Sequence, residues 1–180
     1  MTQDSPWIRG GVVVVLILLV QEGLLHGMRI DGIRPELLLG AGIVAGVVGT
    51  PEGGAVLAFV AGVAADLFVA TPFGLTALVA SIVAYGCGTV QQAMGVSNRW
   101  SVPLLTGAGT LIAVAAWAAL GTVLGLPGLL VPRLAVVAAI VAAGNVVVAV
   151  PLAPVMRWVF AGVPGAVSAP NVNAGRGFLA

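Results

Sequence analysis

Asp66 is the residue of this sequence whose position most invites a chemical role. It lies within the apolar run from Ala55 to Ala70, and a carboxylate at the centre of a membrane helix costs about 2.5–3.5 kcal/mol on insertion scales. Ala58, Gly62 and Asp66 recur at every fourth residue, so they share one stripe of a helix. Because that stripe also carries small residues suited to close packing, we expect Asp66 to point into a helix bundle rather than toward lipid.

Two interpretations of Asp66 stay open. As a functional group, it would serve an ion or proton site or contact a partner protein. As a structural group, it would bond to a neighbouring helix end or loop and hold the bundle together. We favour the structural interpretation, because no second acid accompanies Asp66 within the membrane to form a proton relay.

Five polar side chains cluster in one short segment, at His26, Arg29, Asp31, Arg34 and Glu36. A histidine near two acids raises the hypothesis of a metal site, but metal ligands come at fixed helical spacings or in paired motifs, and His26 is the only histidine. No serine–histidine–acid set, Walker motif, GxGxxG or CxxC is present either. The sequence therefore predicts a solvated interfacial loop, no metal or cofactor, and no enzyme.

The composition identifies the elements that hold these residues. Of 180 residues, 60% are hydrophobic and 7% charged, with a mean hydropathy of +1.17, whereas an average soluble domain is about 25% charged. The net charge of +1 provides no basic stripe for nucleic acid. The single cysteine, Cys87, lies in an apolar run and is interpreted as a buried thiol. The sequence predicts an all-α integral membrane protein without a soluble domain.

Charges, prolines and glycine pairs divide the chain into six candidate transmembrane helices in one bundle, from residue 1 to 160. They cover about residues 8–25, 35–49, 52–70, 73–93, 102–126 and 132–160. The first is expected to be retained rather than cleaved, since no clear small-x-small site follows it. The last is expected to bend at Pro151 and Pro154. Residues 161–180 are rich in glycine, proline and asparagine, and predict a flexible tail.

The second candidate helix is the shortest. About 15 residues reach only about 22 Å, whereas the hydrocarbon core is about 30 Å thick. Six spans are favoured, and four spans with a re-entrant hairpin stay open. Both arrangements make Pro51-Glu52-Gly53-Gly54 a tight turn. With six spans and both termini inside, four arginines lie inside and three outside, so the positive-inside rule favours this orientation only weakly. The inside residues are Arg9, Arg99, Arg157 and Arg176, and the outside residues are Arg29, Arg34 and Arg133.

Small residues recur at the four-residue spacing that lets membrane helices approach closely. The three examples are Gly42-xxx-Gly46, Ala58-xxx-Gly62 and Gly121-xxx-Gly125. Together they indicate a tight bundle without establishing any one contact.

A series of short motifs begins late in the first helix. They are Gln21; Gly32 to Leu39, with Pro35 and Glu36; Gly49 to Gly54, with Pro51 and Gly53; Phe59 to Gly62, leading to Asp66-Leu67; Thr71 to Leu78, with Pro72 and Gly74; and Tyr85-Gly86. In order and spacing, the stretch from Gln21 to Gly88 resembles the rod shape-determining membrane protein family MreD. The family commonly has an aspartate where this chain has Glu36.

The resemblance implies a fold and a function. The fold would be a six-helix bundle similar to the substrate-binding subunits of energy-coupling-factor vitamin transporters. The function would be that of a non-enzymatic scaffold and regulator of peptidoglycan synthesis in the cell-elongation machinery of the bacterial cytoplasmic membrane. Partners would be an MreC-like protein, a RodA-type glycan polymerase, a class B penicillin-binding protein and an MreB-like cytoskeleton. The motifs supply structural or partner-facing candidates: Asp66, Gly62, Pro35, Glu36, Pro51, Gly53, Pro72 and Gly74.

A second hypothesis is a small transporter subunit that binds a vitamin-like solute. It requires polar or aromatic side chains that converge on one cavity. The candidates within the predicted spans are few: Asp66, Ser81, Tyr85, Gln91, Gln92, Trp117 and Asn145.

Overall fold

The regular structure in the computed structural model is α-helical. The structure describes residues 5–24, 37–67, 74–95, 100–125 and 133–166, and within these ranges it contains six helices and no strands. The helices are α1 (Pro6–Leu24), α2 (Leu37–Val48), α3 (Pro51–Asp66), α4 (Leu75–Met94), α5 (Ser101–Val123) and α6 (Arg133–Val159). The predicted all-α fold is therefore confirmed for the described part of the chain.

Three of these helices are long and apolar enough to cross a membrane. They are α4, α5 and residues Leu134–Val159 of α6. By contrast, α2 has 12 residues and reaches about 18 Å at 1.5 Å per residue. The 16 residues of α3 reach about 24 Å. Length and apolar composition thus indicate a membrane protein and leave the shorter helices in need of a separate explanation.

The short helix α2 lies at the centre of the bundle. It contacts each of the other five helices, and every residue from Leu38 to Val48 is buried. A helix that is apolar on all sides has no face for water and is stable only when neighbours surround it. The candidate span that is weakest by length is therefore the one around which the others pack.

The helix ends fall into two groups, because successive helices run in opposite directions. We call one group the Thr50 end: the start of α1, the α2–α3 corner at Gly49-Thr50, the end of α4, the start of α5 and the end of α6. The opposite group is the Asp66 end. Contacts hold the Thr50 end together, since Arg9 Nη1 of α1 donates to the carbonyl oxygen of Trp158 in α6 at 3.5 Å.

The turn between α2 and α3 does not involve the residues that the sequence predicts for it. Pro51 to Gly54 form the first turn of α3 rather than a loop, so the predicted tight turn over these residues is wrong. Thr50 is the N-cap, and its hydroxyl oxygen accepts a hydrogen bond from the backbone N–H of Gly53 at 3.0 Å. Proline suits the first helical position because its missing N–H would have no partner there. Gly49 and Thr50 alone reverse the chain.

Replacing Thr50 tests the importance of this cap. Thr50→Ala removes the acceptor for the Gly53 N–H, and we expect a loss of about 1 kcal/mol of stability. Thr50→Ser keeps the hydroxyl and is expected to stay close to the parent protein. Thermal unfolding of both variants in the same detergent measures the difference. A Ser variant as unstable as the Ala variant would mean that the threonine methyl group, rather than the cap, stabilises the corner.

A cluster of small residues joins α2, α3 and α4; we call Gly46, Gly54, Ala84 and Gly88 the glycine junction. A Cβ atom on Gly46 would meet the carbonyl oxygen of Ala84, and one on Gly54 would meet the Cα of Gly46. A Cβ on Gly88 would lie 2.6 Å from the carbonyl oxygen of Gly46. The three backbones are thus in direct contact, with no room for a side chain between them.

The predicted small-residue pairs divide according to position. A Cβ on Gly42 would lie 2.7 Å from the Cβ of Ala58, and one on Gly62 would meet the Cα of Ala77. Both of these pairs are helix contacts. Gly125 is not, because it follows α5 in the left-handed region at φ +84° and a Cβ there would meet nothing within 4 Å. Gly125 ends the helix rather than packing against another one.

One helix end differs from the prediction: α3 ends at Asp66 rather than near residue 70. The last helix, α6, ends at Val159, within one residue of its predicted end, and stays helical through Pro151 and Pro154. The segment 161–166 is predicted to be flexible, but Val163 and Ala166 pack against the hydrophobic core, which includes the buried ring of Phe160. That ring lies where a Cβ on Gly53 would be, 2.8 Å from the nearest ring atom. The rest of the predicted tail, 167–180, lies outside the described residues.

Candidate functional site at the Asp66 end

Asp66 is the last residue of α3 and is 4% exposed. Ala58 and Gly62, the other members of its stripe, are buried as well. The prediction that this stripe faces the bundle is therefore confirmed. Gly62 lets α4 approach so closely that the carboxylate of Asp66 reaches the beginning of that helix.

The Asp66 carboxylate bonds to the start of the next helix. Its Oδ2 accepts a hydrogen bond from the backbone N–H of Gly74 at 2.8 Å. Gly74 is the N-cap of α4, and no side chain at that position supplies a cap. The first N–H groups of a helix lack partners within it and form the positive end of its dipole. The carboxylate thus satisfies one such donor and places negative charge where α4 favours it.

Gly74 permits this geometry. Its φ is +93°, a left-handed conformation that glycine adopts at little cost and other residues rarely adopt. The N–H of Gly74 therefore points back to α3 while the chain turns into α4. The arrangement is the one that the structural interpretation of Asp66 describes, an acid bonded to a neighbouring helix end.

The second oxygen of the Asp66 carboxylate, Oδ1, takes no part in the contact with Gly74. Oδ1 of Asp66 is buried, and among the described residues it has no hydrogen-bond partner. An oxygen of an ionised carboxylate accepts hydrogen bonds, whereas the protonated oxygen of a neutral acid donates one. Within the described residues, no group of three or more His, Cys, Asp or Glu side chains could hold a metal ion.

Gln21 makes an equivalent contact at the same end of the bundle. Its Oε1 accepts a hydrogen bond from the backbone N–H of Leu38 at 3.2 Å. Leu38 is the second residue of α2, so its N–H is another donor without a partner in its own helix. Gln21 and Asp66 each lie late in one helix and bond to the beginning of the next.

The remaining predicted site residues are not gathered here. Pro51 and Gly53 are buried at the Thr50 end, at the start of α3. Pro35, Glu36 and Pro72 lie outside the described residues, as does the polar loop that contains His26. The site that the structure defines therefore consists of Asp66 and Gly74, supported by Gly62 and accompanied by Gln21.

A buried polar contact that sequence reasoning did not pair joins α5 and α6. Nδ2 of Asn145 donates to Oγ1 of Thr110 at 3.1 Å, and both residues are 2% exposed or less. The amide also occupies the space beside Gly40 of α2, where a Cβ would lie 2.8 Å from Asn145 Oδ1. Asn145 and Thr110 are both visible in the sequence as polar residues within apolar runs. Only the tertiary structure shows that they meet.

The other polar candidates for a solute site have different environments. Tyr85 and Gln92 are exposed on α4, whereas Gln91 and Asn145 are buried. The hydroxyl of Ser81 donates to the carbonyl oxygen of Leu78 in its own helix at 3.0 Å. Comparisons of the chain with protein-family models, with curated proteins and with solved structures find no match.

Proposed function

We propose that this chain is an MreD-like, non-enzymatic scaffold of the bacterial cell-elongation machinery, in which all six helices lie in the cytoplasmic membrane. The proposed function comes from the resemblance of the stretch from Gln21 to Gly88 to the MreD family. One observation supports it: two polar residues of that stretch, both among the described residues, are paired with helix starts of the same stretch. Gln21 bonds to Leu38 and Asp66 bonds to Gly74, so the motifs belong to one structural unit.

The six-span arrangement accounts for the short central helix. Because α2 is surrounded by five helices, its length need not match the thickness of the lipid. The start of α2 then lies at membrane depth, where an unpaired backbone N–H costs several kcal/mol. The side chain of Gln21 accepts from one such N–H of α2, and that of Asp66 from the N–H at the start of α4.

The same contacts favour a scaffold over a solute-binding subunit. Asp66, Gln21 and Asn145 each direct a polar group to another helix, and groups used in this way hold the helices in fixed positions. Exposed apolar side chains on the outer helices face lipid or other membrane proteins. On this proposal, those faces contact an MreC-like protein, a RodA-type polymerase and a class B penicillin-binding protein, and the assembly connects to an MreB-like cytoskeleton.

Depletion of the chain in its own host tests the proposed function. We expect rounded or swollen cells in which new wall synthesis is no longer confined to its normal sites, and recovery when the parent chain is expressed again. Cell width and fluorescent labelling of new peptidoglycan are the measurements. Normal shape and normal synthesis sites on full depletion would contradict the proposal. Uptake of labelled vitamins in the same cells then tests the solute-binding alternative.

A further inference from the structure

Aromatic and cationic side chains gather at the Thr50 end of the bundle. Trp7, Trp100 and Trp158 are 54%, 67% and 56% exposed there, and they are three of the four tryptophans in the chain. Arg9 and Arg157 lie on α1 and α6 near the same end, on two helices that contact each other. Tryptophan is enriched where a membrane meets water, so these residues mark the depth of an interface.

Trp158 holds Arg9 in place. The guanidinium carbon of Arg9 lies 5.1 Å from the centre of the Trp158 ring, within the range of a cation–π interaction. Nη1 of the same guanidinium donates to the Trp158 carbonyl oxygen at 3.5 Å. Arg157 precedes Trp158 in α6. The start of α1 and the end of α6 therefore present two cations at one level of the bundle.

Both arginines retain unused donors. The Nε atoms of Arg9 and Arg157 are buried and have no acceptor among the described residues. A buried N–H without an acceptor is unfavourable, and a guanidinium carries five N–H donors in a planar fork. Glu52, the acidic residue in the first turn of α3 at this end, is exposed. Both side chains are only partly buried, so an acceptor from outside the chain can reach the outer part of each guanidinium fork, whereas the enclosed Nε atoms lie beyond its reach.

We propose that Arg9 and Arg157 bind the phosphate of an anionic phospholipid headgroup. The guanidinium fork matches phosphate oxygens and forms short, charge-assisted hydrogen bonds with them. At the interface marked by the tryptophans, headgroup phosphates are the acceptors at hand, and anionic lipids are abundant in the cytoplasmic leaflet. The Thr50 end is then cytoplasmic, with Arg9 and Arg157 inside as the positive-inside rule favours. This inference rests on the proposed membrane embedding but not on the role in cell elongation.

The test uses the purified full chain in a zwitterionic detergent. Short-chain phosphatidylglycerol is titrated against phosphatidylcholine of the same acyl length, and inorganic phosphate and glycerol 3-phosphate are titrated separately. Arg157→Gln, Arg9→Gln and the double variant are compared with Arg133→Gln, which removes the same charge at the first residue of α6, at the opposite end. We expect the parent to prefer phosphatidylglycerol. Each of the two substitutions should weaken that binding about fivefold, equivalent to about 1 kcal/mol, and Arg133→Gln should not.

The outcomes separate the possible sources of phosphate. Equal binding by the parent and the double variant, or an equal loss in Arg133→Gln, would overturn the proposal. Inorganic phosphate that binds as well as the lipid would overturn its assignment to a headgroup. Arg9→Gln also removes the contact with Trp158, so Arg157→Gln gives an independent measurement in a variant that keeps this contact. Resistance of the parent chain to alkaline extraction from membranes tests the embedding itself, and cell shape under depletion tests the elongation role separately.

Discussion

Gly46→Ala is expected to disrupt the packing of α2, α3 and α4. The added Cβ would meet the carbonyl oxygen of Ala84, a backbone atom that cannot rotate away as a flexible side chain would. Inserting a methyl group into a filled core costs about 1–3 kcal/mol and occasionally more. We expect the upper part of that range here, because two backbones must separate. Thermal unfolding in detergent and the monodisperse fraction on size-exclusion chromatography measure the effect.

A glycine in α4 provides the matched control. A Cβ on Gly86 would meet nothing within 4 Å, whereas one on Gly88, two residues later, would lie 2.6 Å from the Gly46 carbonyl oxygen. Alanine is favoured over glycine in a helix by up to about 1 kcal/mol, so Gly86→Ala should be neutral or stabilising. Gly88→Ala should be destabilising, like Gly46→Ala. If all three variants unfolded at the same temperature as the parent, the glycine junction would not be the close backbone contact described above.

Asp66→Leu is expected to be the second most damaging substitution. It removes the acceptor for the Gly74 N–H, and a buried donor left without a partner costs about 1–3 kcal/mol. The free energy of membrane insertion alone predicts that Asp66→Leu stabilises the protein, because leucine enters a membrane helix more favourably than aspartate does. A loss of stability in this variant therefore reports the hydrogen bond and not the ease of insertion. The amount of membrane-inserted protein and its thermal unfolding are the measurements.

Asp66→Asn separates the hydrogen bond from the charge. The amide oxygen of asparagine can accept from Gly74 at the same place, and only the interaction of the charge with the start of α4 is lost, worth about 0.3–1 kcal/mol. We expect the Asn variant to be better tolerated than the Leu variant. Equal losses in the two variants would show that the charge itself is required. Equal survival would mean that Asp66 is dispensable for folding and would leave a partner contact as its role.

The burial of Asp66 was predictable because it follows from local periodicity. Residues four apart lie on one stripe of a helix, and a stripe that combines small residues with a carboxylate is unfavourable toward lipid. The partner of Asp66 was not predictable in the same way. Gly74 lies beyond the end of α3, and the contact depends on how closely Gly62 lets α4 approach.

The α2–α3 corner shows the limit of turn signals. Proline and paired glycines after Thr50 are typical of a tight turn, yet Pro51 to Gly54 are helical. Proline favours a first helical turn as well as a loop, so the residue types alone do not decide between them. The glycines are present because other groups occupy the space of their side chains: the Phe160 ring beside Gly53 and the backbone of Gly46 beside Gly54.

The sequence alone shows that this protein is helical and apolar enough for a membrane, because composition and the lengths of the apolar runs depend on no distant contact. It also shows which residues lie on one face of a helix. The contacts between helices were needed to show that the 12-residue α2 is the centre of the bundle and that Gln21 and Asp66 bond to the next helix start. The same contacts show that Asn145 meets Thr110. These features depend on distances between helices, and those distances are set by which side chains are absent at each crossing, information that no single helix carries.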